Sequence, residues 1–79
     1  MVNTVNPLRR VRETIDPSRS NFARRFRLNY GTVTAAELGL IAQPVRYAEA
    51  LSVLTGTPAD ELLQQYSFWR EDVAEIDLS

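Results

Sequence analysis

The stretch from Ser18 to Gly39, SRSNFARRFRLNYGTVTAAELG, decides the fold of this 79-residue chain. Ser18 is a good N-cap for one helix and Asn29 for the next, because their side-chain oxygens accept hydrogen bonds from first-turn N–H groups. Thr32 and Thr34 are alternative caps, but Asn29 gives the longest helix. Gly39 is the natural stop. The stretch predicts two short helices joined by a tight turn, over about 19–26 and 29–38.

Turn signals on both sides of this stretch predict three further helices and no strand. Asn6-Pro7, Pro44 and Thr57-Pro58 each place a cap or a proline before an apolar repeat. These helices are expected over about 7–15, 44–54 and 58–66. The side chains expected to face inward are Leu8, Val11, Ile15, Phe22, Ala23, Phe26, Val33, Ala36, Val45, Ala48, Leu51, either Tyr47 or Leu54, Leu62, Leu63 and Tyr66. The chain is thus predicted to be one all-α domain over 1–79, with its core over 6–67.

Two segments have a less definite pattern. Residues 68–79 are predicted to be a C-terminal extension that either serves dimerisation or is disordered. Phe68 and Trp69 suit either the core or a dimer interface. The apolar loop at 40–43 is expected to pack inward.

The chain has no cysteine and no histidine, which excludes disulfides, thiolate or imidazole metal ligands, thiol nucleophiles and a histidine general base. Carboxylates would then be the only acid–base groups, and four of them show no paired arrangement: Glu37, Glu49, Asp60 and Glu61. We expect no enzyme, no cofactor, no metal site and no small-molecule substrate. The start of the chain lacks a basic segment followed by an apolar run, and no stretch approaches the roughly 18 apolar residues of a membrane helix. A cytoplasmic location without a membrane partner is expected.

The charge changes sign along the chain. Residues 1–36 carry seven arginines and two acids, a net charge of +5, whereas residues 37–79 carry two arginines and eight acids, a net charge of −6. Arginines often do no more than solvate helix faces, but a basic surface also attracts phosphate. The polarity therefore favours nucleic acid as the partner of the basic half.

Several residues around the two central helices stand at fixed spacings. They are Ala23 with Val33 ten residues later, Glu37 followed by Gly39, Pro44, and the turn from Thr55 to Leu63. Over residues 8–63, these features resemble the phage repressor and Cro type (XRE-like) helix-turn-helix domain. The resemblance implies an all-α, five-helix repressor-like helix-turn-helix domain, whose third helix enters the major groove of DNA.

The resemblance also implies one ion pair and shows one departure. Arg12 stands where the family has an arginine in helix 1, which pairs with the glutamate at the end of the recognition helix, here Glu37. Arg27 stands where the family usually has glycine, because the backbone takes a left-handed conformation there. Arginine at such a position costs about 1 kcal/mol. A longer or differently shaped turn is the alternative, and it would shift the start of the recognition helix.

Contact residues follow from the same resemblance and from helical periodicity. With Val33, Ala36 and Leu38 facing inward, the candidates for base contacts are Asn29, Tyr30, Gly31, Thr32, Thr34 and Ala35. Asn29 is equally an adenine reader or only a cap, and Tyr30 is alternatively a core residue. The candidates for phosphate contacts are Ser18, Arg19, Ser20, Arg24, Arg25, Arg27 and Arg46, with Arg9 and Arg10 as weaker ones.

The leading hypothesis is a sequence-specific regulator of transcription that binds double-stranded DNA, a Cro-like phage repressor that occupies operator DNA. A homodimer on a palindromic site is expected, with recognition helices about 34 Å apart. The alternative is an antitoxin of the same fold, whose acidic C-terminal part binds a toxin protein.

Overall fold

The computed structural model describes the backbone of residues 5–78 and the side chains of residues 5–73. Within that part, the chain forms five α-helices and no strand. The helices are α1 (Pro7–Ile15), α2 (Arg19–Arg25), α3 (Tyr30–Glu37), α4 (Val45–Thr55) and α5 (Ala59–Leu78). The prediction of an all-α fold with five helices is confirmed. None of the helices in residues 5–78 combines the length and the apolar character needed to cross a membrane.

Side-chain caps begin the first three helices. Asn6 Oδ1 accepts a hydrogen bond from an N–H of α1 at 2.9 Å, Ser18 Oγ from one of α2 at 3.3 Å, and Asn29 Oδ1 from one of α3 at 3.1 Å. Each cap satisfies an N–H group that has no partner inside its own helix. Of the three candidate caps for α3, Asn29 is the one used, so the helix begins where the sequence predicts.

The turn between α2 and α3 passes through a left-handed residue. Arg27 has a φ of 55°, and it is the one residue other than glycine in the described part of the chain with positive φ. The Leu28 N–H donates to the carbonyl of Ala23 at 2.8 Å and closes the end of α2. The turn therefore has the conformation that usually requires glycine, held at an energetic cost that glycine would avoid.

A single hydrophobic cluster joins the five helices. Its buried members are Leu8, Phe22, Ala23, Val33, Ala36, Tyr47, Ala48, Leu51, Leu62 and Tyr66. Ala23 and Val33, which stand ten residues apart in the sequence, are both buried. α2 packs on α3, while α4 and α1 pack on α5. One face of α3 is thereby held by the core, and the opposite face remains exposed.

Three expectations about inward-facing residues are wrong. Leu38, Val45 and Leu40 are exposed. The side chains of α4 that face the core are Tyr47, Ala48 and Leu51. Val45 lies outside this stripe and faces solvent. Of the loop at 40–43, only Ile41 packs against the core, and its carbonyl accepts a hydrogen bond from the Tyr66 hydroxyl at 2.6 Å. Leu38 follows the last residue of α3, and Leu40 lies beyond it in the loop.

α5 continues to Leu78 instead of ending near residue 66. No glycine or proline follows Pro58 in the sequence, so no residue breaks the helix. Trp69 packs against the core, and Arg70 Nε donates to the carbonyl of Gly39 at 3.0 Å. The second half of α5 therefore supports the chain where it leaves α3. Residue 79 and the side chains of 74–78, part of the predicted extension, lie outside the described residues.

Candidate nucleic-acid interface

The exposed face of α3 carries no charged side chain. Tyr30 is 52% exposed, so it faces solvent and is not part of the core. The neighbouring candidates are exposed or half-exposed: Asn29, Gly31, Thr32, Thr34 and Ala35. The acid of this helix, Glu37, lies on the buried side. The surface offered by α3 therefore consists of hydroxyls, an aromatic ring, a methyl group and bare backbone.

Two exposed arginines flank the start of α3. Arg27 and Arg46 line a small cavity of about 80 Å³ together with Asn29 and Thr32. Within residues 5–73, neither arginine forms an ion pair. The turn before α3 and the first turn of α4 thus place two positive charges beside an uncharged helix face.

The arginines at the end of α2 are placed differently from each other. Arg24 Nη2 donates to Asn21 Oδ1 at 3.4 Å, a contact within its own helix. Arg25 Nη1 lies 3.4 Å from Asp16 Oδ2, and its guanidinium lies 5.2 Å from the centre of the Phe26 ring. Arg25 is therefore directed toward the end of α1, whereas Arg24 is exposed and directed toward Asn21, one turn earlier in α2.

The remaining phosphate candidates have partners or lie elsewhere. Ser18 Oγ caps α2 and lies 3.3 Å from Ser20 Oγ. Arg9 forms an exposed ion pair with Glu13 at 2.9 Å. Arg10 lines a cavity between α1 and α5. The structure therefore does not gather all the candidate residues at one surface.

Arg12 and Glu37 form a buried bidentate ion pair. Arg12 Nε and Nη2 donate to Glu37 Oε2 and Oε1, both at 2.9 Å. The two side chains are 3% and 1% exposed. Arg12 Nη1 also donates to the carbonyls of Asp16 and Pro17 at 3.0 and 2.9 Å. This guanidinium ties the end of α3 to the loop between α1 and α2, and the fork geometry fixes the orientation of both.

Three further side chains complete the network around Glu37. The Tyr47 hydroxyl donates to Oε2, and Arg19 Nε donates to Oε1 at 3.1 Å. Asn6 Nδ2 donates to the carbonyls of Ala36 and Glu37, both at 3.0 Å. In the described part of the chain, no buried side-chain nitrogen or oxygen lacks a hydrogen-bond partner. Because a half-satisfied buried network is destabilising, this complete one specifies how α3 sits on the core.

The network fixes the charge states of its members. Burial by itself would raise the pKa of Glu37, but the hydrogen bonds from Arg12 and Tyr47 and the nearby positive charges outweigh it and lower that pKa. The hydrogen bond to Glu37 raises the pKa of Arg12 despite its burial. Burial and the adjacent carboxylate raise the pKa of Tyr47. Near neutral pH the carboxylate is therefore ionised and the phenol is neutral and donates.

Sequence reasoning missed the roles of Asn6 and Tyr47. Asn6 was identified only as a cap, although its amide nitrogen also holds the end of α3. Tyr47 was predicted only as an alternative to Leu54 for an inward side chain, and no signal in the sequence indicated that its hydroxyl donates to Glu37. Arg19 was predicted to contact phosphate, but its guanidinium lies against Glu37 and Thr34.

In the part of the chain that the structure describes, no group of three or more aspartates or glutamates could hold a metal ion. No protein-family model, curated protein or solved structure matches this chain. The arrangement of its own side chains is therefore the basis for a functional interpretation.

Proposed function

We propose that this chain binds double-stranded DNA as a sequence-specific transcription regulator of the repressor and Cro helix-turn-helix type, with α3 as the recognition helix. The observation that carries the proposal is the exposed, uncharged face of α3 beside arginines that have no acid partner in residues 5–73. The major groove admits one α-helix, presents base edges at its floor, and is bordered by phosphates. A neutral helix face with cations at its margin has the matching charge pattern.

The roles within α3 follow from which atoms are already engaged. Asn29 Oδ1 is committed to the cap, whereas bidentate reading of adenine needs both the oxygen and the nitrogen of the amide. We therefore assign Asn29 to capping. Thr32 and Thr34 offer hydroxyls to base edges, and Ala35 offers a methyl group to thymine. Tyr30 offers a phenol at the start of the helix.

The structure explains why position 31 is a glycine. A Cβ added at this position would lie 3.1 Å from Asn29 Oδ1, tighter than ordinary van der Waals contact. Glycine therefore leaves room for the cap. It also lets the backbone at the start of α3 approach DNA closely.

Arg27, Arg46 and Arg24 are assigned to phosphates. Arg27 and Arg46 lie at the start of α3, where N–H groups of the first turn also favour an anion. The buried network supports this assignment, because Arg12 and Arg19 neutralise Glu37, the buried acid of α3. The helix then approaches the polyanion without an exposed carboxylate.

A homodimer is part of the proposal, since one half-site reader of this size gains specificity by pairing on a palindrome. Phe68 on α5 is 59% exposed. It lines a cavity of about 310 Å³ to which Arg10 and Asp72 also contribute. An apolar centre with one cation and one acid is self-complementary under a two-fold axis, with Arg10 of one copy facing Asp72 of the other. Sedimentation of the wild type and of Phe68→Glu tests this: the variant should be monomeric, and an unchanged mass would exclude this face.

The proposed function is tested by the salt dependence of binding to labelled duplex DNA, measured by fluorescence anisotropy. Each phosphate contact contributes about −0.9 to the slope of log affinity against log salt. Arg27→Gln and Arg46→Gln should each reduce the slope by about that amount. Arg9→Gln removes the same charge from an exposed residue that already pairs with Glu13, so it should leave the slope unchanged.

Two results would contradict the proposal. One is binding whose slope is near zero. The other is equal effects of all three variants, because affinity would then follow net charge and not the surface around α3. Absence of DNA binding together with a stable complex with a toxin protein would favour the antitoxin alternative.

A further inference from the structure

Thr34 lies on α3 within reach of Arg19 on α2. Arg19 Nη1 donates a hydrogen bond to Thr34 Oγ1 at 3.4 Å, while Arg19 Nε donates to Glu37 Oε1 at 3.1 Å. Glu37 is itself fixed by the buried Arg12 guanidinium. One end of the Arg19 guanidinium is therefore anchored on the core, and the other end holds the Thr34 oxygen.

The hydroxyl hydrogen of Thr34 is placed differently from those of two other helical threonines. Thr14 and Thr55 donate to carbonyls of the preceding turn at 2.6 and 2.8 Å, as threonine commonly does in helices. Within residues 5–73, Thr34 donates to no acceptor, and its Oγ1 instead accepts from a cation. A hydroxyl has one hydrogen to donate and two lone pairs to accept. At Thr34 a lone pair accepts the hydrogen bond from Arg19, and the hydroxyl hydrogen remains free to donate.

We propose that Arg19 is a positioning residue that makes Thr34 a hydrogen-bond donor toward a base edge in the major groove. The inference rests on the proposed function, because it requires α3 to lie in that groove. A positive guanidinium on the oxygen repels a second donor and turns the hydroxyl hydrogen toward the open side of the helix.

The proposal names the chemistry that this position selects. Guanine offers acceptors at N7 and O6, thymine at O4 and adenine at N7, whereas cytosine presents only its N4 amino donor. Cytosine should therefore be the disfavoured base opposite Thr34. Arg19 has five N–H donors, of which two are engaged, so this role leaves donors for the phosphate contact expected from the sequence.

The test uses the duplex recovered by selection in four versions, one for each base at the position where Thr34→Val changes preference. Valine keeps the shape of threonine and removes the hydroxyl. The wild-type protein should bind the duplex with cytosine at this position roughly three- to tenfold more weakly than the duplex with the best base, which is the range expected for one hydrogen bond. Arg19→Met should remove most of that discrimination, and Thr34→Ser, which keeps the hydroxyl, should retain it.

The double variant Arg19→Met/Thr34→Val separates positioning from general weakening. Once Thr34 has no hydroxyl, Arg19→Met should cause no further change in base preference. Arg24→Met is the matched control, an arginine on the same helix that should weaken all four duplexes alike. If Arg19→Met does not fold, Arg19→Lys gives the same comparison, because a single amine keeps the charge near Glu37 without the rigid fork.

The outcomes distinguish this inference from the proposed function. Specific binding in which Arg19→Met leaves the discrimination intact, or in which cytosine is the preferred base, overturns the inference alone. Absence of specific binding to any duplex overturns both. Additive effects of Arg19→Met and Thr34→Val on base preference would show that the two side chains act separately, which also contradicts the inference.

Discussion

Replacing Glu37 by glutamine is expected to destabilise the fold severely. Glutamine has nearly the same shape as glutamate, so the change creates no cavity. It does remove the charge that compensates Arg12, whose side chain is 3% exposed and whose guanidinium donates two hydrogen bonds to the carboxylate. Arg19 would then add a second positive charge next to the first. The perturbation therefore isolates the electrostatic role of the carboxylate from its packing.

The magnitude follows from burial. Removing one partner of a buried ion pair costs about 3–5 kcal/mol, because it leaves an uncompensated charge in the interior. A domain of this size has a net stability of about 3–5 kcal/mol. Glu37→Gln should therefore leave little or no folded protein. Glu13→Gln is the matched control, since its pair with Arg9 is about half exposed, and exposed pairs contribute about 0–1 kcal/mol.

The assay is urea unfolding followed by far-UV circular dichroism for the wild type and both variants. A double variant, Arg12→Met/Glu37→Met, should lose less stability than the sum of the losses in Arg12→Met and Glu37→Met, because it leaves no fully buried charge unmatched. Arg19 also loses its partner, but its side chain is 26% exposed. A difference of no more than about 0.5 kcal/mol between the free energies of unfolding of Glu37→Gln and Glu13→Gln would be far below the cost of an uncompensated buried charge. That result would show that the interpretation of this network is wrong.

Three further predictions concern backbone strain and pH. Gly39→Ala should destabilise the fold more than Gly56→Ala, although both glycines have a φ of 79°. A Cβ at Gly39 would lie 2.9 Å from the Trp69 ring, whereas one at Gly56 would meet nothing within 4 Å. Equal losses of stability in thermal unfolding would mean that Trp69 does not limit the residue at position 39. Arg27→Gly should raise the free energy of unfolding by about 1 kcal/mol while weakening DNA binding, and a variant that binds DNA as tightly as wild type would refute the phosphate role of Arg27. The pKa of Glu37 lies below its ordinary value of 4.5, so the carboxylate contributes stability that is fully present above that value and is lost as pH falls through the lower pKa of the folded state. Urea unfolding across acidic pH should show this loss in Glu13→Gln, which keeps Glu37, but not in Arg12→Met/Glu37→Met, which lacks it. Identical profiles of stability against pH in the two variants would contradict the prediction.

Local signals in the sequence were sufficient for most of the fold. Caps and prolines act within a few residues of where they stand, so the starts of α1, α2 and α3 could be predicted closely. The left-handed turn could be anticipated only through the family resemblance, because Arg27 itself does not favour it. The end of α5 was missed because the apolar repeat fades after Tyr66, whereas the helix continues to Leu78 in a stretch without glycine or proline.

The candidate site could be predicted only in part, because long-range contacts have no local signal. The resemblance to the repressor and Cro type domain implied that Arg12 and Glu37 pair, and the structure brings them together. Nothing near Asn6 in the sequence indicates that its amide reaches the end of α3, thirty residues away. Arg19 was chosen as a phosphate contact from its place at the start of α2, and its engagement with Thr34 depends on how α2 packs on α3.

Selection of bound sites from a pool of random duplexes tests the central claim most directly. If α3 is a recognition helix in a two-fold dimer, the recovered duplexes should share an inverted repeat whose half-sites lie about 34 Å, or roughly ten base pairs, apart. The enriched half-site should change in Thr34→Val and stay the same in Arg9→Gln. Recovery of no sequence above its frequency in the starting pool would contradict specific DNA recognition by this chain.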